Sequence, residues 1–250
     1  MLRTAFVLGA GLGTRLRPLT NNRPKPLVPV NGKPLITFAF DHLIAELSVE
    51  RFIVNTHHCP EAYQDAFPDK SYRGRQILLR HEPTLLDSGG GISNIRDLLG
   101  PQDDSLAIYN GDILADFPLA DAFRAHAKSG GTTLVVRTDG ESRNLTIDAN
   151  SHDLVDARHI LKGEGRVLPA DALATQFTGV YFMDAAALAA LPAPGNGFSI
   201  VDTWLDQIRQ GAPPHTHIAD SGDWFDLGTL DALDAASTFL QHGRFPRYGG

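Results

Sequence analysis

Apolar residues in this chain fall into short, continuous runs separated by polar stretches rich in glycine and proline. Ala5-Phe6-Val7-Leu8 is the first run, and Arg51–Asn55, Arg75–Arg80 and Ser105–Tyr109 repeat the pattern. Runs of this length without strict alternation read as strands buried on both faces. Between the first two, Leu35, Ile36, Phe38, Ala39, Leu43, Ile44 and Leu47 recur at helical spacing behind Pro34, a residue suited to a first helical turn. A second helix is expected over Pro60–Phe67. The resulting β-α-β-α-β order predicts an α/β fold, a mixed, mostly parallel sheet flanked by helices with ligands outside the carboxyl ends of its strands.

Further along, the pattern predicts helices over Leu119–Lys128, Ile200–Gln210 and Leu230–Leu240, and strands over Thr132–Arg137, Thr175–Phe182 and His215–Ala219. Asn144–Asp148 and His152–Ala157 read as the arms of a hairpin. No linker, repeat or low-complexity segment interrupts the chain, so a single domain is expected over residues 1–243, with 244–250 as a loosely held tail.

The first strand runs into Gly9-Ala10-Gly11-Leu12-Gly13-Thr14-Arg15 and then into an arm broken by Pro18, Pro24 and Pro26. Glycine lacks the Cβ that holds an anion away from backbone N–H groups, so such a turn suits phosphate. Arg15, Arg17 and Lys25 add positive charge here, whereas the chain as a whole carries a formal net charge of -7. That contrast points to a polyanionic ligand. A P-loop would need a Gly-Lys-Ser/Thr ending, and a dinucleotide fingerprint would need glycine where Thr14 stands. The prolines exclude a long helix after Arg15 and leave an extended arm able to wrap a triphosphate.

Three further stretches carry chemistry. Asn110-Gly111-Asp112 closes the fourth strand, and Asp226 lies far away in Trp224-Phe225-Asp226-Leu227-Gly228-Thr229. Magnesium takes one or two carboxylates and keeps water and phosphate oxygens for the rest of its shell, so Asp112 needs a partner and Asp226 can supply it. Between Glu82 and Ile92, the consecutive Gly89, Gly90 and Gly91 are costly in chain entropy, which implies close approach of the backbone to something such as a base or ribose. A helix is expected from Ile92 to Leu98. His57, His58, Cys59 and His81 lack zinc-ligand spacing and read as structural.

Gly11-x-Gly13-x-Arg15-x-x-Pro18-x-Thr20, followed by Pro24-Lys25-Pro26, resembles the signature of the sugar-1-phosphate nucleotidyltransferases. Trp224–Thr229 resembles the family's late W-x-D-x-G-T element, and Phe177-Thr178-Gly179 its F-x-G strand. The resemblance covers nearly the whole chain. It implies a Rossmann-like nucleotidyltransferase fold and magnesium-dependent transfer of a nucleoside monophosphate from a nucleoside triphosphate to a sugar-1-phosphate, releasing pyrophosphate. On this resemblance Gly11, Gly13, Thr14, Arg15 and Lys25 handle the triphosphate, with Arg15 and Lys25 catalytic. Gly89 and Asn110 lie at the nucleotide, Asp112 and Asp226 hold Mg2+, and Asn144, Thr178 and Gly179 border the sugar. Lys162, between glycines of a loop, reads as solvated.

One branch, the N-acetylmuramate-1-phosphate uridylyltransferases, carries Glu-Thr-Gly-Gly-Gly where this chain has Asp87-Ser88-Gly89-Gly90-Gly91. This favours UTP with N-acetylmuramate-1-phosphate, and GTP with mannose- or heptose-1-phosphate is the alternative. A lactyl-bearing sugar carries a carboxylate, for which Arg143 and Asn144 are candidate partners.

Composition narrows the partners. Hydrophobic residues make up 42% and charged residues 20%, and the net negative charge disfavours nucleic acid. A single cysteine, Cys59, excludes an internal disulfide and fits a reducing compartment. Neither a signal peptide nor a membrane-length apolar run is visible, so a cytoplasmic protein is expected, and its oligomeric state is open. Two other classes compete. A glycosyltransferase of related architecture would show D-x-D where Asn110-Gly111-Asp112 stands, and a silent nucleotide-sugar sensor would not need Arg15, Lys25, Asp112 and Asp226 together.

Overall fold

The computed structural model describes residues 2–157 and 170–242. The chain forms two compact units. The first takes the chain up to Leu85, Pro101–Phe117 and the chain from Gly222 onward, and the second takes Leu86–Gly100 and Pro118–Ser221. Lys162 and residues 244–250 lie outside the described residues.

In the first unit Thr4–Leu8 pairs in parallel with Arg51–Thr56 on one side and Ser105–Asn110 on the other, and Arg75–His81 continues the sheet beyond Arg51–Thr56. Ser71–Tyr72 adds a short antiparallel edge. Register places Phe6 between Ile53 and Ile108, and Val7 between Val54 and Tyr109, all fully buried. This burial on both faces is the physical cause of the continuous apolar runs, and each such side chain contributes about 1.5–3 kcal/mol. The helix Ile36–Leu47 lays Phe38, Phe40 and Leu43 on the core and stops at Ser48, whose backbone is left-handed (φ 53). Phe40 stacks on Phe52 with ring centroids 4.2 Å apart. Strand order turns about Thr4–Leu8, because its neighbours are the next parallel strand and the last one. Ligands of open α/β sheets bind at such a switch point, outside the carboxyl ends.

The same unit contains a smaller apolar cluster beneath the arm, including Leu16, Val28, Leu114, Leu227 and Leu233. Two short strands reach it, Ile113–Ala115 and Trp224–Asp226, paired antiparallel. The helix Leu230–Gln241 covers it, with Thr229 accepting from the Ala232 N–H as its cap.

In the second unit the long strand Ala172–Asp184 pairs antiparallel with Leu145–Asp148 and with Thr132–Arg137. Leu154–Asp156 extends the first partner antiparallel, and His215–Ile218 extends the second in parallel. Register slips between Phe177 and Tyr181, where Gly179 has φ 80. The Thr178 hydroxyl donates to the Val135 carbonyl at 2.8 Å and so satisfies the bulge. Trp204, from the helix Ile200–Arg209, is buried edge-on against Tyr181.

The α/β architecture is as expected, with local differences that bear on the candidate site. The arm contains two single 3-10 turns, Thr14–Leu16 and Lys25–Leu27. Ile113–Ala115 is an unanticipated strand. The helix expected from Ile92 to Leu98 instead spans Asp87–Ser93, through the glycines, with a 3-10 turn at Arg96–Leu98. No described helix is long and apolar enough to cross a membrane.

Candidate active site

Four charged residues, widely separated in sequence, come together in the first unit because each adjoins an apolar residue that folds inward. Leu16 follows Arg15, Leu27 and Val28 follow Lys25, Ile113 and Leu114 follow Asp112, and Leu227 follows Asp226, and every one of these apolar side chains is buried. The Leu227 N–H donates to the Asp112 carbonyl at 3.0 Å, and Asp226 sits opposite Ile113 in the two-stranded ladder. Lys25 Nζ makes an ion pair with Asp112 Oδ2, and the lysine side chain is only 10% exposed. Asp226 reaches the surface, yet packing around it and the nearby Asp112 charge raise its carboxyl pKa above the usual carboxylate value. Lys25, Arg15 and the Gly228 N–H act against that rise. Arg15 lies against Gly228, where a Cβ would come within 2.8 Å of its guanidinium and 3.0 Å of Asp226.

The glycine-rich loop is braced from below at both ends. At Gly9 the N–H donates to Asn55 Oδ1 (2.8 Å) and the carbonyl accepts from the Tyr63 hydroxyl (2.9 Å). A Cβ there would lie 2.6 Å from that hydroxyl. Gly13 has φ 61, and its carbonyl accepts from the Thr20 hydroxyl at 2.8 Å. A Cβ on Gly13 would meet Lys25 Cβ at 3.0 Å. His58 Nε2 in turn donates to the Thr20 carbonyl at 2.9 Å. Gly11 differs from both. Nothing lies within 4 Å of the Cβ it lacks, so its bare backbone faces open space. Gly111 donates to the Leu8 carbonyl at 3.0 Å, and a side chain there would overlap that oxygen. Asn110-Gly111-Asp112 is therefore shaped by the junction of two strand ends rather than by turn preference alone.

The family model described as nucleotidyl transferase matches residues 4–243. The chain belongs to this family. It is 38% identical over 245 residues to a mannose-1-phosphate guanylyltransferase of Mycobacterium tuberculosis, covering 97% of this chain and 66% of that one. It is 31% identical over 251 residues to an N-acetylmuramate alpha-1-phosphate uridylyltransferase of Caulobacter vibrioides, covering 95% of this chain and 97% of that one. A UTP–glucose-1-phosphate uridylyltransferase of Synechocystis is 26% identical over 90% of this chain, which spans only 60% of that relative. Among solved structures, a UDP-glucose pyrophosphorylase complexed with UDP-glucose shares the fold with a TM-score of 0.74 at 19% identity, covering 98% of this chain and 100% of that one.

The other anticipated residues, Gly89, Asn144, Thr178 and Gly179, belong to the second unit. The close approach that Gly89 permits is to the chain itself. Its N–H donates to the Phe198 carbonyl at 3.0 Å, and a Cβ there would overlap the Phe198 ring, so the chain's own packing accounts for the glycine. Ser88 Oγ likewise accepts from the Ile200 N–H at 3.1 Å. Asn144 Oδ1 accepts from the Phe177 N–H at 2.9 Å, the Thr178 side chain is fully buried, and Arg143 is exposed.

A magnesium ion fits the first unit's carboxylates. Burial first and the Asp112 charge second raise the Asp226 pKa, and a divalent cation beside the two carboxylates would favour their ionised forms. Among the described residues no group of three or more His, Cys, Asp or Glu stands ready to hold a metal unaided. Sequence reasoning overlooked Asn55 and Tyr63, which belong to no motif, and assigned His58 only a generic structural part.

Proposed function

We propose that the protein catalyses magnesium-dependent transfer of a nucleoside monophosphate from a nucleoside triphosphate to a sugar-1-phosphate, releasing pyrophosphate. The observation that carries this reading is the convergence of Arg15, Lys25, Asp112 and Asp226 at a loop whose Gly11 backbone stands open. A sugar-1-phosphate is largely dianionic at neutral pH, with a second pKa of about 6, so its oxygen attacks the α-phosphorus without a general base. A new oxygen–phosphorus bond forms as the α–β anhydride bond breaks, and the electron pair leaves with pyrophosphate. The barrier is repulsion among anions and their alignment.

Each residue then has a part. Backbone N–H groups from Gly11 to Thr14 and the exposed Arg15 hold the outer phosphates. Lys25, packed down to a tenth of its exposure, presents an ammonium with little freedom to move and stabilises charge at the reacting phosphates. Asn110, opposite Leu8 in the ladder, borders the nucleotide. Asp112 and Asp226 would hold magnesium, whose chemistry is neutralisation of phosphate charge. Gly89, Asn144, Thr178 and Gly179 stand as binding residues in the second unit, Thr178 through its backbone because its hydroxyl is committed to Val135.

For the substrates we infer UTP and N-acetylmuramate-1-phosphate, supported by the resemblance of Asp87-Ser88-Gly89-Gly90-Gly91 to that branch's motif and by the Caulobacter relative that this chain matches almost end to end. GTP with mannose-1-phosphate is the second reading, favoured by the higher identity to the mycobacterial relative. Pyrophosphate release from a panel of triphosphates and sugar-1-phosphates tests both. Turnover with GTP alone selects the second reading, and release from no pair refutes the proposal.

A further inference from the structure

A buried hydrogen-bonded line crosses three adjacent strand ends beneath the glycine-rich loop. Glu82 follows the strand Arg75–His81 and is wholly buried. Its backbone is pinned, with its N–H donating to the Thr56 carbonyl at 2.8 Å and its carbonyl accepting from His57 Nδ1 at 2.7 Å. Its Oε1 accepts from Asn55 Nδ2 at 2.8 Å, and Asn55 Oδ1 accepts from the Gly9 N–H at 2.8 Å. A primary amide is what this position calls for. The Gly9 N–H needs an acceptor and the Glu82 oxygen needs a donor, so one orientation of Asn55 satisfies both, and a carboxylate there would face Glu82 oxygen to oxygen. Tyr63 completes the grip from the helix Glu61–Ala66 by donating to the Gly9 carbonyl.

We propose that Asn55, oriented by Glu82 and seconded by Tyr63, is a positioning residue for the triphosphate. Asn55 holds the Gly9 N–H while Tyr63 holds the Gly9 carbonyl, and together they set the direction in which the chain leaves the first strand, and so where the Gly11 and Gly13 N–H groups and Arg15 are presented. The part that concerns catalysis rests on the nucleotidyl transfer proposed above. The brace itself does not.

The test uses the full chain with two readouts, hydrogen exchange of peptides covering Gly9 to Arg15 and separate Michaelis constants for triphosphate and sugar-1-phosphate. Asn55→Asp sets two buried oxygens against each other. It should speed loop exchange and raise the triphosphate constant by about tenfold or more, leaving the sugar-1-phosphate constant unmoved. Asn55→Asp combined with Glu82→Gln restores a donor facing an acceptor with polarity reversed, and should bring both readouts most of the way back. Tyr63→Phe deletes one donor without introducing charge, and keeps the idea testable if Asn55→Asp unfolds. It should shift both readouts in the same direction by about threefold. Unchanged loop exchange in Tyr63→Phe, no rescue in the double variant, or an equal rise in both Michaelis constants overturns the proposal. If the unaltered protein turns over no substrate pair, the functional reading fails, while the exchange data still decide whether Asn55 and Tyr63 brace the loop.

Discussion

Gly11 and Gly13 stand two residues apart in one loop, and the structure gives them opposite reasons for being glycine. Gly13 has φ 61, and a Cβ there would press on Lys25 Cβ at 3.0 Å and on Thr20 Cγ2 at 3.1 Å. A left-handed backbone with a side chain costs about 1–2 kcal/mol, and close contacts add to it. In a chain of this size each kilocalorie lowers the melting temperature by about 2–4 °C, so Gly13→Ala should melt about 2–8 °C lower. Gly11 lacks a positive φ and meets nothing within 4 Å. Gly11→Ala should therefore leave folding untouched or stabilise it by about 0.4–1 kcal/mol through the unfolded chain. Its effect should fall on the ligand, because the added methyl holds a phosphate off the backbone. One lost charge-assisted hydrogen bond, about 1.5–3 kcal/mol, corresponds to a rise of roughly ten- to a hundredfold in the triphosphate Michaelis constant. Thermal denaturation and steady-state kinetics on the two variants separate these effects. An ordinary Michaelis constant in Gly11→Ala would show that the open backbone does not receive phosphate, and the site assignment would fall with it.

Other consequences can be checked independently. Lys25→Ala should cut turnover by roughly a hundredfold, the scale of other preorganised electrostatic contacts. A change confined to the Michaelis constant would place Lys25 in ground-state binding instead. Asp112→Asn should keep the fold, because the Leu227 N–H bonds to the Asp112 backbone carbonyl, while most magnesium-dependent turnover disappears. Near-normal magnesium-dependent rates in that variant would remove Asp112 from the metal site. Burial pushes the pKa of His126 below its ordinary 6.5 despite the opposing Asp184. As pH falls, the unfolded chain takes up that proton first, so the contribution of neutral His126 is complete above about pH 6.5 and declines below it. Melting temperatures from pH 7.5 to 5 should show this loss, and His126→Gln should flatten it; an equally steep profile in the variant would assign the loss elsewhere.

The four parallel strands are legible in the sequence because burial on both faces leaves unbroken apolar runs. The arm is legible because glycine, arginine, proline, threonine and lysine recur there in a compound spacing. Ile113–Ala115 is not, since three residues cannot show alternation and its partner, Trp224–Asp226, arrives far along the chain. The helix Asp87–Ser93 also escapes notice. Glycine is a poor helix former, and its presence there is explained only once the Phe198 ring and carbonyl lie against that face. Asn55 lies near the end of a mostly apolar strand and Tyr63 in a short helix, and nothing local distinguishes them from ordinary buried residues. Their role depends on a peptide some fifty positions away.

The way the chain passes between its two units also sets the order in which the acidic pair comes into being. A ribosome delivers the loop, Lys25 and Asp112 early, but Asp226 and the Leu227 that seats it emerge only after all of the second unit has been made. At about 5–20 residues per second, that interval lasts on the order of ten seconds. Throughout it the nascent chain carries the loop without its second carboxylate. On the proposed reaction, a chain stalled anywhere in that stretch lacks one of the two carboxylates proposed to hold magnesium.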